Sequence, residues 1–154
     1  MKKNFAVIFL TLLFVLTGIV ARNEMVYAQD SAVDVELSEI MTTDALVGYT
    51  NTQTRGMYLA QGFSVINDAG GGKIGCGGTT VAAMKCKVSV NSVVERQVNG
   101  NWVRVTSWTS SNASAYSVSI SKTLAVGSGY YYRVRCLHYA GTDASSSCTD
   151  SMWM

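Results

Sequence analysis

The 154-residue sequence contains no proline and one histidine, and only 14% of its residues are charged. It has no long run of one charge sign, no C-x-x-C spacing and no G-x-S-x-G elbow. A disordered chain is charge-rich and poor in apolar residues, and 48% apolar content excludes it. Collagen-like and coiled-coil chains need a glycine repeat or charged heptads, and neither occurs. One histidine leaves little for acid–base or metal chemistry, so no metal, cofactor or catalytic residue is expected. No G-x-x-x-x-G-K-[ST] is present among the 14 glycines, so they read as turns and close approaches, not as a phosphate cradle.

What is present first is an export pattern. Lys2 and Lys3 precede an uncharged apolar run from Phe5 to Ala21, and Val26-Tyr27-Ala28 follows as a small-x-small cleavage site. The run is shorter than the ~20 residues that span a bilayer. Residues 1–28 are therefore expected to be a signal peptide cut after Ala28, with a cut after Ala21 as second choice. No stable membrane anchor is expected after cleavage, and the mature chain is expected to be secreted. The formal net charge of +2 resides in the leader, since the remainder has nine basic and nine acidic residues. Asp30, Asp34, Glu36, Glu39 and Asp44 make residues 29–54 an acidic segment, expected as an extended or mobile arm with one helical turn near Glu36–Ile40. From Ala45 onward the excess is modestly basic, which does not predict nucleic-acid binding.

Residues 55–154 read as short β-strands joined by turns. Phe63–Asn67 and Lys73–Thr79 flank an Asp68–Gly71 turn. Cys86–Gln97 is dense in β-branched residues and leads to Asn99-Gly100, a strong hairpin signal because both residues accept positive φ. Trp102–Thr109 returns, Ser110–Ser114 is a polar turn, and Tyr116–Leu124 alternates apolar and polar side chains. Tyr130–Ala140 and a closing strand from Cys148 follow, with Ala140–Ser147 as a loop. About seven strands without helix-length patterns predict an all-β fold, an antiparallel β-sandwich of immunoglobulin or fibronectin-III type.

Trp102 and Trp108 share parity on an unbroken strand, and Val103 and Val105 take the other face. Both faces cannot be buried, so a bulge near Thr106-Ser107 is expected to turn Val103, Val105 and Trp108 inward and leave Trp102 partly exposed. An even cysteine count in an exported chain favours disulfides among Cys76, Cys86, Cys136 and Cys148. Of the three pairings, Cys76–Cys86 and Cys136–Cys148 are favoured, each flanking a turn. Tyr131, Arg133 and Arg135 alternate along one face and, with Trp102 and Arg104 on a neighbouring strand, make a candidate stacking or anion-binding surface. Arg96 is a further candidate for it. His138 could join Ser145, Ser146 or Ser147 and Asp143 or Asp150 in a hydrolase, but a triad also needs an oxyanion hole and a cleft.

The run Gly129-Tyr130-Tyr131-Tyr132-Arg133-Val134-Arg135-Cys136-Leu137-His138 forms a recognisable set with Arg55-Gly56-Met57-Tyr58-Leu59, Gly72-Lys73-Ile74 and Val94-Glu95-Arg96. Asn99-Gly100-Asn101-Trp102, Ser107-Trp108 and Ser121-Lys122-Thr123 complete it. The set resembles a family of small secreted proteins of Gram-positive, mostly clostridial, bacteria whose domain has no known function. The resemblance implies secretion and a β-rich domain, and carries no site residue over. The expected function is a non-enzymatic binding or cell-surface interaction module with an unidentified extracellular ligand. The alternative is a carbohydrate-binding module using Trp102, Trp108 and Tyr131.

Overall fold

The computed structural model describes residues 32–50 and 56–154. The expected signal peptide lies outside them, as do residues 29–31 and 51–55. Strands dominate: β1 (Val33–Asp34), β2 (Leu46–Tyr49), β3 (Leu59–Gly70), β4 (Lys73–Val98), β5 (Asn101–Ala125), β6 (Tyr131–Ala140), β7 (Asp143–Cys148) and β8 (Met152–Trp153). One helical turn, α1 (Leu37–Ile40), falls within the expected stretch. All eight strands join one sheet, and every pairing is antiparallel.

The frame is the long β4–β5 hairpin. Asn99 and Gly100 have φ of 50° and 80°, the left-handed values that a two-residue turn of this kind requires. The strands run further than the sequence pattern indicates. The stretches beginning at Lys73 and Cys86 are one strand, and the expected Ser110–Ser114 turn lies inside β5. Pairing survives because irregularities near Val81–Val88 absorb the mismatch opposite Asn112–Ala115, where Asn112 accepts a hydrogen bond from the Ser114 amide. The first half of β4 pairs with β3, and on the same edge its second half pairs with β6. The expected Ala140–Ser147 loop is a hairpin, with β7 paired along β6.

Side chains from both halves of the hairpin meet in one core. Ile66, Ile74, Cys76 and Leu124 pack with Val90, Val94, Tyr132, Val134 and Cys136. Close approach is possible because small residues face large ones. A Cβ at Gly62 would come within 2.5 Å of the His138 ring, and one at Gly78 within 2.5 Å of Cys136 Sγ.

The acidic segment is no free arm where it is described. β1 pairs with β5 at Lys122 and Thr123, and β2 pairs with β3 from Phe63 to Ile66. Between them Ile40 is buried over Gly75, whose missing side chain leaves the space it fills. Ser121 Oγ also donates to the Val35 carbonyl at 2.8 Å. The sequence pattern misses this because two- and four-residue strands are too short to show a period.

Candidate functional site: an arginine–aromatic face

Parity along β6 divides its side chains. Tyr132, Val134, Cys136 and His138 are buried, and Tyr131, Arg133 and Arg135 point the other way. Strand register then assembles the surface. Glu95 on β4 lies opposite Arg133 on one side and Arg104 on the other, Gln97 lies opposite Trp102, and Tyr131 lies opposite Trp153. Trp102, Arg104, Tyr131, Arg133 and Arg135 therefore share one face, as the sequence pattern indicates.

Glu95 organises this face. Its carboxylate is nearly buried and accepts from Arg133 Nε at 2.7 Å and from Arg135 Nη2 at 2.9 Å. Burial pushes the Glu95 pKa up, but hydrogen bonds from Arg135 and then Arg133 outweigh it and hold the group below its usual value. Arg133 also lies over the Trp102 ring, with Cζ 4.2 Å from the centroid, so carboxylate and indole fix the guanidinium between them. Tyr131 and Trp153 meet edge to face at 4.9 Å and remain 43% and 59% exposed. Arg104 is exposed and makes no ion pair or hydrogen bond among the described residues. Three guanidiniums thus face one carboxylate beside two open rings, a surface suited to anions and to planar or apolar groups.

Sequence reasoning missed Glu95 and Trp153. Glu95 sits in a β-branched run, and its role emerges only when β6 is placed beside it. Trp153 lies in a strand of two residues. Two expected members are elsewhere. Arg96 alternates with Glu95, so it sits on the opposite side, over Tyr130 at 4.3 Å. Trp108 is separated from Trp102 by a bulge. Val94 pairs with Thr106 and Glu95 with Arg104, leaving Val105 between them without a partner. The bulge lies slightly earlier than expected, and it turns Val105 and Trp108 toward the core. Val103, expected inward, is 48% exposed near the hairpin end. Trp108 is half-buried, not buried. Trp102, Trp108 and Tyr131 consequently form no common stacking platform.

The four cysteines are free thiols. Cys76 and Cys86 lie on the same strand, opposite Lys122 and Ala115 of β5, so several strand residues separate them where a disulfide needs Cα atoms ~4.4–6.8 Å apart. The proposed turn between them does not exist. Cys136 lies opposite Ser147 and Cys148 opposite Arg135, so the two thiols point to opposite faces of adjacent strands. Burial pushes Cys76 and Cys136 up to about 12 and keeps both protonated.

His138 is fully buried. Thr80 Oγ1 donates its one proton to the Ser89 carbonyl at 2.9 Å, so it accepts from His138 Nδ1–H at 2.9 Å. Nε2 then accepts from Ser147 Oγ–H at 2.8 Å. A serine does reach the imidazole, but a threonine hydroxyl occupies the place a triad gives to a carboxylate. Asp143 is engaged elsewhere, capping the Tyr58 and Leu59 amides. Among the described residues no group of three or more His, Cys, Asp or Glu side chains is placed to hold a metal ion. Compared with protein-family models, with curated proteins and with solved structures, the chain matches none.

Proposed function

We propose that this protein is an exported, non-enzymatic binding module, an antiparallel β-sandwich of immunoglobulin or fibronectin-III type. Its outer Arg–aromatic face would hold an anionic extracellular or cell-surface ligand. The shared core between the two halves of the β4–β5 hairpin, with glycines at the close approaches, supports the two-layer reading. The leader pattern supports export. The observation that carries the function is the fixing of Arg133 between Glu95 and Trp102 beside exposed Arg104, Tyr131 and Trp153. Ordering an arginine before binding removes an entropic cost that a free side chain meets on contact. Aromatic and arginine side chains are also those that most often dominate binding energy.

The test is a pull-down of the purified chain on Gram-positive cell walls with and without their anionic polymers. Retention that depends on those polymers, falls with added salt and drops in Arg104→Ala and Trp153→Ala is the expected result. Both side chains are exposed, so folding is not at issue. Retention unchanged by both substitutions, or by removal of the anionic polymers, refutes the assignment.

A further inference from the structure

A groove of about 650 Å³ opens at the outer edge of β5 and shares no residue with the Arg–aromatic face. It exists because β5 bends. Trp108–Ser110 form one wall, Ser119–Lys122 the other, and residues 34–37 close the end. Beyond β1, no strand pairs with this edge among the described residues. The volume falls within the ~300–1,000 Å³ usual for small-ligand sites.

The groove has an aromatic floor fixed from below. Trp108 packs on the main core cluster and also lines the cavity. The Lys122 side chain is mostly buried, and its Nζ sits 5.7 Å from the Trp108 ring centroid and pairs with Asp34 at 2.5 Å. Asp34 is 85% exposed, which leaves its other oxygen open to the groove. The Glu36 carboxylate and the Ser110 hydroxyl make no hydrogen bond or ion pair among the described residues. By contrast, Ser119 is bonded to Thr79 and Ser121 to Val35. Free polar groups therefore line the groove both beside Trp108, at Ser110, and at its closed end, at Glu36.

We propose that this groove binds an uncharged hexopyranose oligosaccharide. A pyranose ring presents an apolar C–H face and a rim of hydroxyl donors. The first matches a half-buried indole, and the second matches carboxylate and hydroxyl acceptors. Two carboxylates against one ammonium disfavour uronic acids and other anionic sugars. This ligand class is the opposite of that expected for the outer face, so failure of one assignment leaves the other standing.

The experiment is a fluorescence titration of the full chain with a glucose trimer, an N-acetylglucosamine trimer and a galacturonate trimer. Saturable change with at least one uncharged trimer, with Kd of about 1 mM or below, is expected. Glu36→Gln should weaken it about tenfold through loss of a charged acceptor. Ser110→Arg should abolish it by filling the groove, and Trp102→Phe should leave the affinity unchanged. Absence of saturable binding to both uncharged trimers overturns the assignment. So does galacturonate binding that is tighter than that of the uncharged trimers and is lost in Ser110→Arg, an affinity unmoved by both Glu36→Gln and Ser110→Arg, or an equal loss in Trp102→Phe.

Discussion

Acidification should destabilise this fold through one residue. Burial lowers the His138 pKa from 6.5 to about 4, because an imidazolium cannot be solvated between Thr80, Ser147 and Gly62. The unfolded chain therefore binds a proton that the folded chain refuses between those two values. A folded-state pKa below the unfolded one gives a neutral histidine that favours folding only above pH 6.5. Its contribution falls as pH drops toward 4. At pH 5.5 the loss is about 1.4 kcal/mol, and at pH 4 about 3 kcal/mol. Against a typical total of ~5–15 kcal/mol, that is a large share. Urea unfolding at pH 7, 5.5 and 4 measures it directly. His138→Phe provides the control: it leaves the Ser147 hydroxyl unpaired, which costs about 1–3 kcal/mol at pH 7, and it removes the titrating group. The stability of wild type relative to this variant should fall by about 3 kcal/mol from pH 7 to pH 4, so that the wild-type advantage vanishes or reverses. A difference independent of pH over that range would show that His138 is not buried neutral, and would refute the Thr80–His138–Ser147 arrangement. Glu95 does not blur the result. Its pKa is lowered, so its contribution is present above the ordinary carboxylate value and begins to be lost by pH 4, but that loss is common to wild type and His138→Phe and cancels in their difference.

Three further outcomes follow from the packing. Gly62→Ala should destabilise by about 1–3 kcal/mol, read by the same urea titration, because the new methyl meets the His138 ring in a crowded core. Glu95→Gln should cost about 1–3 kcal/mol in stability, since Arg133 and Arg135 lose their shared carboxylate, and high salt should narrow the gap. A thiol count by alkylation should find four free cysteines after unfolding. In the native protein Cys148 should react first, and buried Cys76 and Cys136 should stay protected.

The legible parts of the fold are those governed by a local rule. Asn99-Gly100 marks its turn because few residue pairs tolerate two positive φ values in succession. The alternation of Tyr131, Arg133 and Arg135 against Tyr132, Val134 and Cys136 marks a half-buried strand, and it assigns the candidate face before any neighbour is known. The rest depends on distant pairing. Nothing local shows that Lys73–Val98 continues through its irregular middle, because Ala82-Ala83-Met84-Lys85 there carries no alternation and reads as a break. That error created a turn between Cys76 and Cys86 and, with it, a disulfide that one strand cannot form. The bulge at Val105 was inferable from the conflict between two faces, while its register came only from the partners of Val94 and Glu95. Glu95 illustrates the same limit at the site: a carboxylate among valines carries no signal until two arginines from another strand reach it.

The most direct measurement of the proposed binding face uses the three tryptophans as reporters. Their indole N–H signals are separable by NMR once assigned by single substitutions. Trp102 and Trp153 belong to the Arg–aromatic face, and Trp108 lines the opposite groove. Titration with an anionic cell-wall polymer should shift the Trp102 and Trp153 signals together, saturably, and leave Trp108 in place. Movement of Trp108 alone, or no movement of any indole at saturating polymer, would contradict the account.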